Sequence, residues 1–309
     1  MSFSKDVKNE VARIESEIAC CEKAELFGLL RMSGSVSLKG KGVGIHFATE
    51  NAALARRVLR LLKSNFSVQT EVVITRSRRL KKNNRYQVQV MPSAEASKAL
   101  GELQLLAMPE DGRLKLLGKP CCRKAFLRGI FLAGGSVSKP VSDYHLELVT
   151  DNEDLAILIQ KVMHGFSLPA KMTDRKNDYI VYLKEGNAIT GFLSVIGAHN
   201  SLLEFENIRI VKEMRNKVNR LVNCETANLS KIVQAAVHQI ACIRYIDKTS
   251  GLYSLSPLLK ETADLRLAHP EASVAELASM AEGNIGKSGF NHRLKKIEQI
   301  ALEMGMDEN

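Results

Sequence analysis

No stretch of this chain reaches the ~18 uninterrupted apolar residues that a membrane-spanning helix needs. The longest candidate, KIVQAAVHQIACIRYI (residues 231–246), is broken by Gln234, His238, Gln239 and Arg244. The opening segment MSFSKDVKNEVARIE alternates charges and lacks the apolar centre of a secretory signal. A cytoplasmic protein without membrane contact is therefore expected. The chain also lacks the usual signatures of metal and nucleophile chemistry. No C-x-x-C…H-x-x-x-H spacing, no H-E-x-x-H and no Ser-His-Asp grouping is present, so no catalytic residue, metal ligand or cofactor is expected. KGKGVG (39–44) lacks the GK[ST] ending of a phosphate loop and precedes a strand, so it reads as a hairpin turn. The six cysteines, Cys20, Cys21, Cys121, Cys122, Cys224 and Cys242, are expected to be reduced and to act as small buried apolar side chains. The adjacent pairs suggest redox work as well, but their duplication with the surrounding helix start argues for inherited packing.

Acid is in deficit too. The 309 residues carry 44 Lys and Arg against 34 Asp and Glu, a formal charge of +10. Such a surplus favours phosphate-bearing partners, because Lys and Arg release counterions condensed on nucleic acid. Acidic membranes attract the same charge. The hydrophobic share of 45% and charged share of 25% suit a folded protein of about two domains.

What is present is an internal repeat. CCEKAELFGLLRMSGSVS (20–37) recurs as CCRKAFLRGIFLAGGSVS (121–138), at an offset of 101 with 10 of 18 positions identical. IHFATEN (45–51) keeps the same offset to LELVTDN (146–152), and FSVQT (66–70) answers FSLPA (166–170) one residue out of step. Each copy reads as α-β-β-α-β-β-α. In copy one a helix from about Glu22 to Ser33 ends at Gly34 in the manner of a C-cap glycine. AALARRVLRLLKSNF has helical period, VQTEVVIT and RYQVQVM alternate as half-buried strands do, and Ser93 caps a closing helix. Gly28, and Gly129 with Ala133, are small enough to let two helix backbones approach at a pseudo-two-fold interface.

LFGLLRMSG and LRGIFLAGG resemble the LAGLIDADG motif of homing endonucleases. With a GSVS tail on both copies and a helix-turn-helix pattern at the C-terminus, nearly the whole chain resembles the WhiA family of bacterial transcription regulators. The resemblance implies an α+β fold: a duplicated αββαββα, LAGLIDADG-like pseudo-two-fold domain, then an all-α helix-turn-helix domain. It also implies roles in sporulation, cell division and chromosome segregation. In the endonucleases the last acidic residue of each motif holds the metal ions that activate water. The matching positions are Ser33 and Gly134, which offer a hydroxyl and a hydrogen atom. The scaffold is expected to be retained without nuclease activity.

Domains are expected at 1–19 (an N-terminal helix), 20–200 (the duplicated domain, copies about 20–109 and 121–200), 201–250 (a helical linker) and 251–309 (the helix-turn-helix). The linker reads as a helix with a basic side, an Asn-rich joint (Asn219, Asn223, Asn228) and a helix from about Thr226 to Ile246. The asparagines either cap helices or contact DNA. In the last segment, Ser256–Pro257 opens one helix, Ser273 with Glu276 forms a capping box for a second, and KSGFNHRLKKIEQIALEMG forms a third. There Phe290, Leu294, Ile297 and Ala301 recur at helical spacing and should face the core. Lys287, Ser288, Asn291, His292, Lys295 and Lys296 then face solvent. Asn291 suits adenine, His292 and Ser288 suit base edges or phosphates, and Arg293 and the lysines suit guanine or phosphate.

One further basic cluster sits in copy one. RSRRLKKNNR (76–85) holds Arg76, Arg78, Arg79, Lys81, Lys82 and Arg85; it is either a solvated loop or a hairpin tip along a phosphate backbone. Copy two has TDRKND, where Asp174 and Asp178 offset Arg175 and Lys176, so any such contact should favour copy one. The preferred reading is a non-enzymatic regulator bound to double-stranded DNA on the nucleoid. An active or nicking endonuclease is opposed by Ser33 and Gly134. A scaffold whose saddle binds a protein or small molecule, with DNA contact through the C-terminal module alone, is the third reading.

Overall fold

The duplicated sequence folds as a duplicated structure. The computed structural model describes residues 2–15, 18–39, 42–76, 84–105, 114–141, 143–283 and 285–306. After α1 (Phe3–Val11), copy one runs α2 (Ala19–Ser33), β1 (Gly34–Lys39), β2 (Gly42–Thr49), α3 (Ala52–Asn65), β3 (Thr70–Arg76), β4 (Asn84–Ser93) and α4 (Ala94–Glu102). Copy two runs α5 (Pro120–Gly134), β5 (Gly135–Val137), β6 (Leu146–Thr150), α6 (Glu153–His164), β7 (Lys171–Arg175), β8 (Asp178–Leu183) and α7 (Gly186–Ile196). Each copy builds one four-stranded antiparallel sheet, ordered β1-β2-β4-β3 and β5-β6-β8-β7. The expected αββαββα order is therefore present twice.

Matched residues make matched caps. Asn51 accepts hydrogen bonds from the backbone of Ala53 and Leu54 at the start of α3, and Asn152 accepts one from Leu155 at the start of α6. Each satisfies amide groups that a helix N-terminus leaves free. Just upstream, the Thr49 and Thr150 hydroxyls accept from the Asn51 and Asn152 amides.

The two copies share one core through α2 and α5. Both helices are buried on most sides, as helices at the centre of a domain are. Phe27 stacks on Phe126 with centroids 5.7 Å apart. A Cβ on Gly28 would lie 2.7 Å from the Phe126 carbonyl oxygen, and one on Gly129 would lie 2.3 Å from that of Glu25. The backbones meet where only hydrogen atoms fit between them, as the small-residue reading anticipated.

Gly34 departs from expectation. It is extended (φ −88°, ψ 155°) and begins β1, with no left-handed cap. Glycine is needed there because a Cβ would stand 2.5 Å from the Leu30 carbonyl oxygen, and Gly135 repeats the arrangement against Phe131. The chain turns from helix straight into strand. The expected half-burial of the third strand also fails: Val72, Val73 and Ile74 are all exposed, because β3 is the edge of its sheet.

One polar network inside this core has no symmetric counterpart one repeat away. The fully buried Glu25 carboxylate accepts from Arg57 Nε at 2.7 Å and Nη2 at 2.8 Å, and from Arg128 Nη1 at 3.4 Å. Arg57 also donates to the Ile14 carbonyl, and Arg128 Nε donates to that of Ile196 at 3.0 Å. Positions one repeat away from Glu25 and Arg57 are Phe126 and Leu158, so the network breaks the symmetry of the halves.

Helix α8 (His199–Ser250) is continuous over 52 residues, which corrects the expected joint. Asn219, Asn223 and Asn228 lie inside it and cap nothing, since no Gly or Pro interrupts 199–250. Glu10 of α1 accepts hydrogen bonds from the Asn200 and Ser201 amides at 2.8 and 2.9 Å, placing negative charge at the start of α8. The chain divides into two compact units, Met1–Lys212 and Glu213–Asn309. In the second, α9 (Pro257–Ala268) and α11 (Lys287–Glu303) pack with the end of α8 around Ile243, Ile246, Leu259, Ala263 and Ile297, and α10 (Val274–Met280) packs on α11 through Leu277, Ala278, Phe290 and Leu294. Cys242 joins the core around Ile243, whereas Cys121 and Cys224 are exposed, contrary to the uniform burial expected of the cysteines. Among the described residues no helix is long and apolar enough to cross a membrane.

Gly129→Ala should destabilise the protein at or above the upper end of the ~1–3 kcal/mol that overpacking usually costs. Gly101→Ala, where a Cβ meets nothing within 4 Å, should instead stabilise helix α4 by ~0.5–1 kcal/mol. Urea denaturation of the two variants checks the contrast.

Candidate nucleic-acid interface

The LAGLIDADG-type helices end at Ser33, which is exposed, and Gly134, which is partly buried. A Cβ at Gly134 would stand 2.8 Å from the Val149 carbonyl oxygen and 2.6 Å from Met32 Cε. The site thus offers no carboxylate at either motif end, and a side chain at Gly134 has no room.

The pleat sorts the sheet residues by parity. In copy one Ile45, Phe47, Val88 and Val90 point into the core, so Ser35, His46, Gln87 and Gln89 share the opposite, open face. In copy two the open face carries Ser136, Glu147, Tyr182 and Lys171. There Ser136 Oγ donates to Glu147 at 2.9 Å, and His145 Nε2 lies 3.3 Å from the same carboxylate. Lys176 and Asn177, both with positive φ, close β7 onto β8 as a two-residue turn. In copy one Arg76 and Arg85 are exposed on β3 and β4; Arg78, Arg79, Lys81 and Lys82 lie outside the described residues.

The C-terminal unit presents the other candidate surface. Phe290, Leu294, Ile297 and Ala301 are buried as their spacing required. Lys287, Ser288, His292, Lys295 and Lys296 are exposed, and Asn291 is half-buried at the edge of that face. Arg293 differs from expectation. It is half-buried and donates to Glu261 on α9 at 3.3 Å, which draws its guanidinium back toward the domain. Glu261 also accepts the Glu282 amide at 2.6 Å, so one carboxylate ties α9, the turn before α11 and α11 itself. No side chain caps the start of α11 at Gly286, and its first amides are free to meet an anion.

The turn between α9 and α10 is fastened twice. Arg266, 1% exposed, donates from Nη1 to the Ala272 carbonyl at 2.7 Å, and burial lowers its pKa. Ser273 Oγ accepts the Glu276 amide at 3.3 Å while the Glu276 carboxylate accepts the Ser273 amide at 2.7 Å, the reciprocal box read from the sequence. That backbone hydrogen bond holds the Glu276 carboxyl below its ordinary pKa. Sequence reading missed Glu261 and Arg266. Both sit in ordinary helical positions, and only packing brings them to the turns.

A group of a different kind lies at the far end of the motif helices. The thiol sulfurs of Cys20, Cys21, Cys121 and Cys122 all lie within 4.8 Å of one another. Burial and the neighbouring thiols push Cys122 up to about 11 and raise Cys21 further, whereas a hydrogen bond from Cys21 lowers Cys121. The expectation of simple inherited packing did not anticipate a four-thiol cluster. The repeated Cys-Cys pair at the start of two helices that pack together was the available signal.

Comparison with known proteins accounts for most of the chain. Residues 19–106 match the family model described as the WhiA N-terminal LAGLIDADG-like domain, 123–215 the WhiA LAGLIDADG-like domain, and 218–301 the WhiA C-terminal HTH domain. The chain is 46% identical to the probable cell division protein WhiA of Alkaliphilus metalliredigens, covering 97% of this chain and 98% of that one. It is 48% identical to the protein of the same name from Desulforamulus reducens, covering 98% and 96%. Among solved structures, full-length WhiA from Thermatoga maritima is similar at a TM-score of 0.62 and 26% identity, over 99% of this chain and 100% of that one.

Ser273→Ala should lower the stability of the C-terminal unit by about 1 kcal/mol, as loss of a helix N-cap does. Because the folded pKa of Glu276 is depressed, the box contributes fully above the unfolded value of ~4.3 and fades as pH falls through the folded one. Thermal melts of Glu276→Gln and the parent chain between neutral and acid pH should converge at the acid end.

Proposed function

The chain belongs to the WhiA family, and from that premise we propose that it is a non-enzymatic regulator that reads double-stranded DNA with α11. The observation that carries this reading is the division of α11 into two faces. Its apolar residues are consumed by the core, and Ser288, His292, Lys295 and Lys296 project together on the other side, with Lys287 at the uncapped start. A helix placed this way enters a major groove with its N-terminal half against base edges and phosphates. Asn291, at the rim of that face, reads adenine. Arg293 acts with Glu261 to set the angle of α11, and contributes charge to the same surface.

The duplicated domain, about 20–200, adds phosphate contacts through the copy-one hairpin, where Arg76 and Arg85 flank Arg78, Arg79, Lys81 and Lys82. Residues 201–250 serve as a helical linker and 251–309 as the reading domain. Cleavage is not part of the function: Ser33 and Gly134 stand where a nuclease places metal-binding carboxylates. The relatives' name supports a role in cell division, and the family resemblance extends it to sporulation and chromosome segregation. The protein acts in the cytoplasm, on the nucleoid.

Genome-wide occupancy mapping of the full chain supplies the bound sequences, and anisotropy titrations on them test the residues. Asn291→Ala should cost ~1–3 kcal/mol and relax preference at one base pair. Replacing Lys295 and Lys296 by alanine should weaken binding to all sequences alike and reduce the salt slope by about 2. Replacing Arg76 and Arg85 should reduce the slope similarly. Unchanged binding in the α11 variants, or a Mg²⁺-dependent double-strand cut by the purified chain, would overturn the reading.

A further inference from the structure

The duplication does more than repeat a fold: it brings two half-sites together. Cys20 and Cys21 occupy the second and third positions of α2, behind Ala19, and Cys121 and Cys122 occupy the same positions of α5, behind Pro120. The two helices run parallel, since their thiols meet at one end and Gly134 lies against Met32 at the other. One Cys-Cys pair offers two sulfurs. Both pairs together offer four, all within 4.8 Å of one another. We propose that Cys20, Cys21, Cys121 and Cys122 form a tetrahedral four-thiolate site for a single zinc ion, which clasps the two copies at the N-terminal ends of their central helices.

The spacing selects a single thiophilic ion over a cluster. With Zn–S bonds of ~2.3 Å, the edge of a sulfur tetrahedron is about 3.8 Å, so side-chain rotation of an ångström or less per thiol closes the site. Iron–sulfur clusters spread their four cysteines over more than one iron, and need sulfurs further apart than this. Hard cations such as Mg²⁺ and Ca²⁺ prefer oxygen, which the group does not supply. Neither helix start is capped by a side chain, and the positive ends of two helix dipoles meet at the sulfurs, where metal-bound thiolate would place negative charge. Lys115 and Lys119 line the adjoining cavity of about 390 Å³, together with Cys20, Cys122 and the Lys23–Glu102 ion pair, and these two lysines offset the double negative charge of a zinc tetrathiolate. Cys21 and Cys122 are buried, and Cys121 is exposed, which leaves a path for the ion. Binding is a simple exchange: four thiols release four protons, the ion accepts four thiolates, and nothing is oxidised or reduced.

The test is a Co²⁺ titration of the full chain, purified and kept fully reduced. One equivalent should bind, with the intense thiolate-to-cobalt absorption and visible d–d bands of a tetrahedral site, and one equivalent of Zn²⁺ should bleach both. The pair Cys20→Ser and Cys121→Ser should abolish the spectrum, while Cys224→Ser, on α8 and outside the group, should leave it unchanged. If the double variant does not fold, Cys121→Ser alone should lose about a quarter of the charge-transfer intensity while its circular dichroism stays that of the parent. A reduced chain that takes up no Co²⁺, or shows a weak octahedral spectrum, overturns the proposal. So does binding that survives in the double variant. Disulfides between the pairs after oxidation, with no metal uptake after reduction, would make the group a redox pair and equally overturn the zinc site.

Discussion

Everything in the first unit depends on how closely two helix backbones approach. Gly28 and Gly129 each face the backbone of the other helix at a distance that excludes a methyl group. That contact brings two weakly amphipathic helices together along their length, and their remaining sides are then covered by the two sheets and by α1, α3 and α7. The core is shared, since Phe27 stacks on Phe126 across the two copies and one cluster takes in buried residues of both. The same approach aligns the start of one helix with the start of the other. It thereby sets four cysteines in one place, and the two motif ends in another.

The symmetry is then broken where charge is buried. Glu25, Arg57 and Arg128 form a network that ties α2, α3 and α5 to the Ile14 and Ile196 carbonyls, and copy two carries apolar residues at the positions matching Glu25 and Arg57. Removing one partner of such a buried group would leave an uncompensated charge, so the network constrains the packing more than it adds net stability. In the second unit, polar groups at the turns play a comparable part on a smaller scale. Arg266, Glu261 and the Ser273–Glu276 box hold two turns, and the orientation of α11 follows from them.

Much of this was legible in the residues alone. The repeat at an offset of 101 announced two αββαββα units, and the caps Asn51 and Asn152 appear where the repeat placed helix starts. The apolar spacing of Phe290, Leu294, Ile297 and Ala301 identified the inward face of α11. Other readings failed for definable reasons. Clustered asparagines suggested a joint in α8, but asparagine weakens a helix only by tenths of a kcal/mol and cannot break one whose neighbours favour it. Gly34 looked like a left-handed cap; its glycine instead answers a crowded helix-to-strand turn, which depends on atoms four residues back. Alternation along β3 suggested a buried face, yet burial depends on sheet position, and β3 lies at the edge.

Local order, periodicity and repetition are properties of neighbouring residues, and the sequence by itself determined them: the element order, the doubled architecture, the helix caps, the missing motif carboxylates and the basic outer face of α11. Contacts between distant residues required the tertiary structure. It decided that Arg293 turns back to Glu261, that Arg266 braces a turn and that two Cys-Cys pairs 101 residues apart meet as one group. The physical reason is that side-chain partners across a core are chosen by how helices pack, and no spacing along the chain encodes that distance directly.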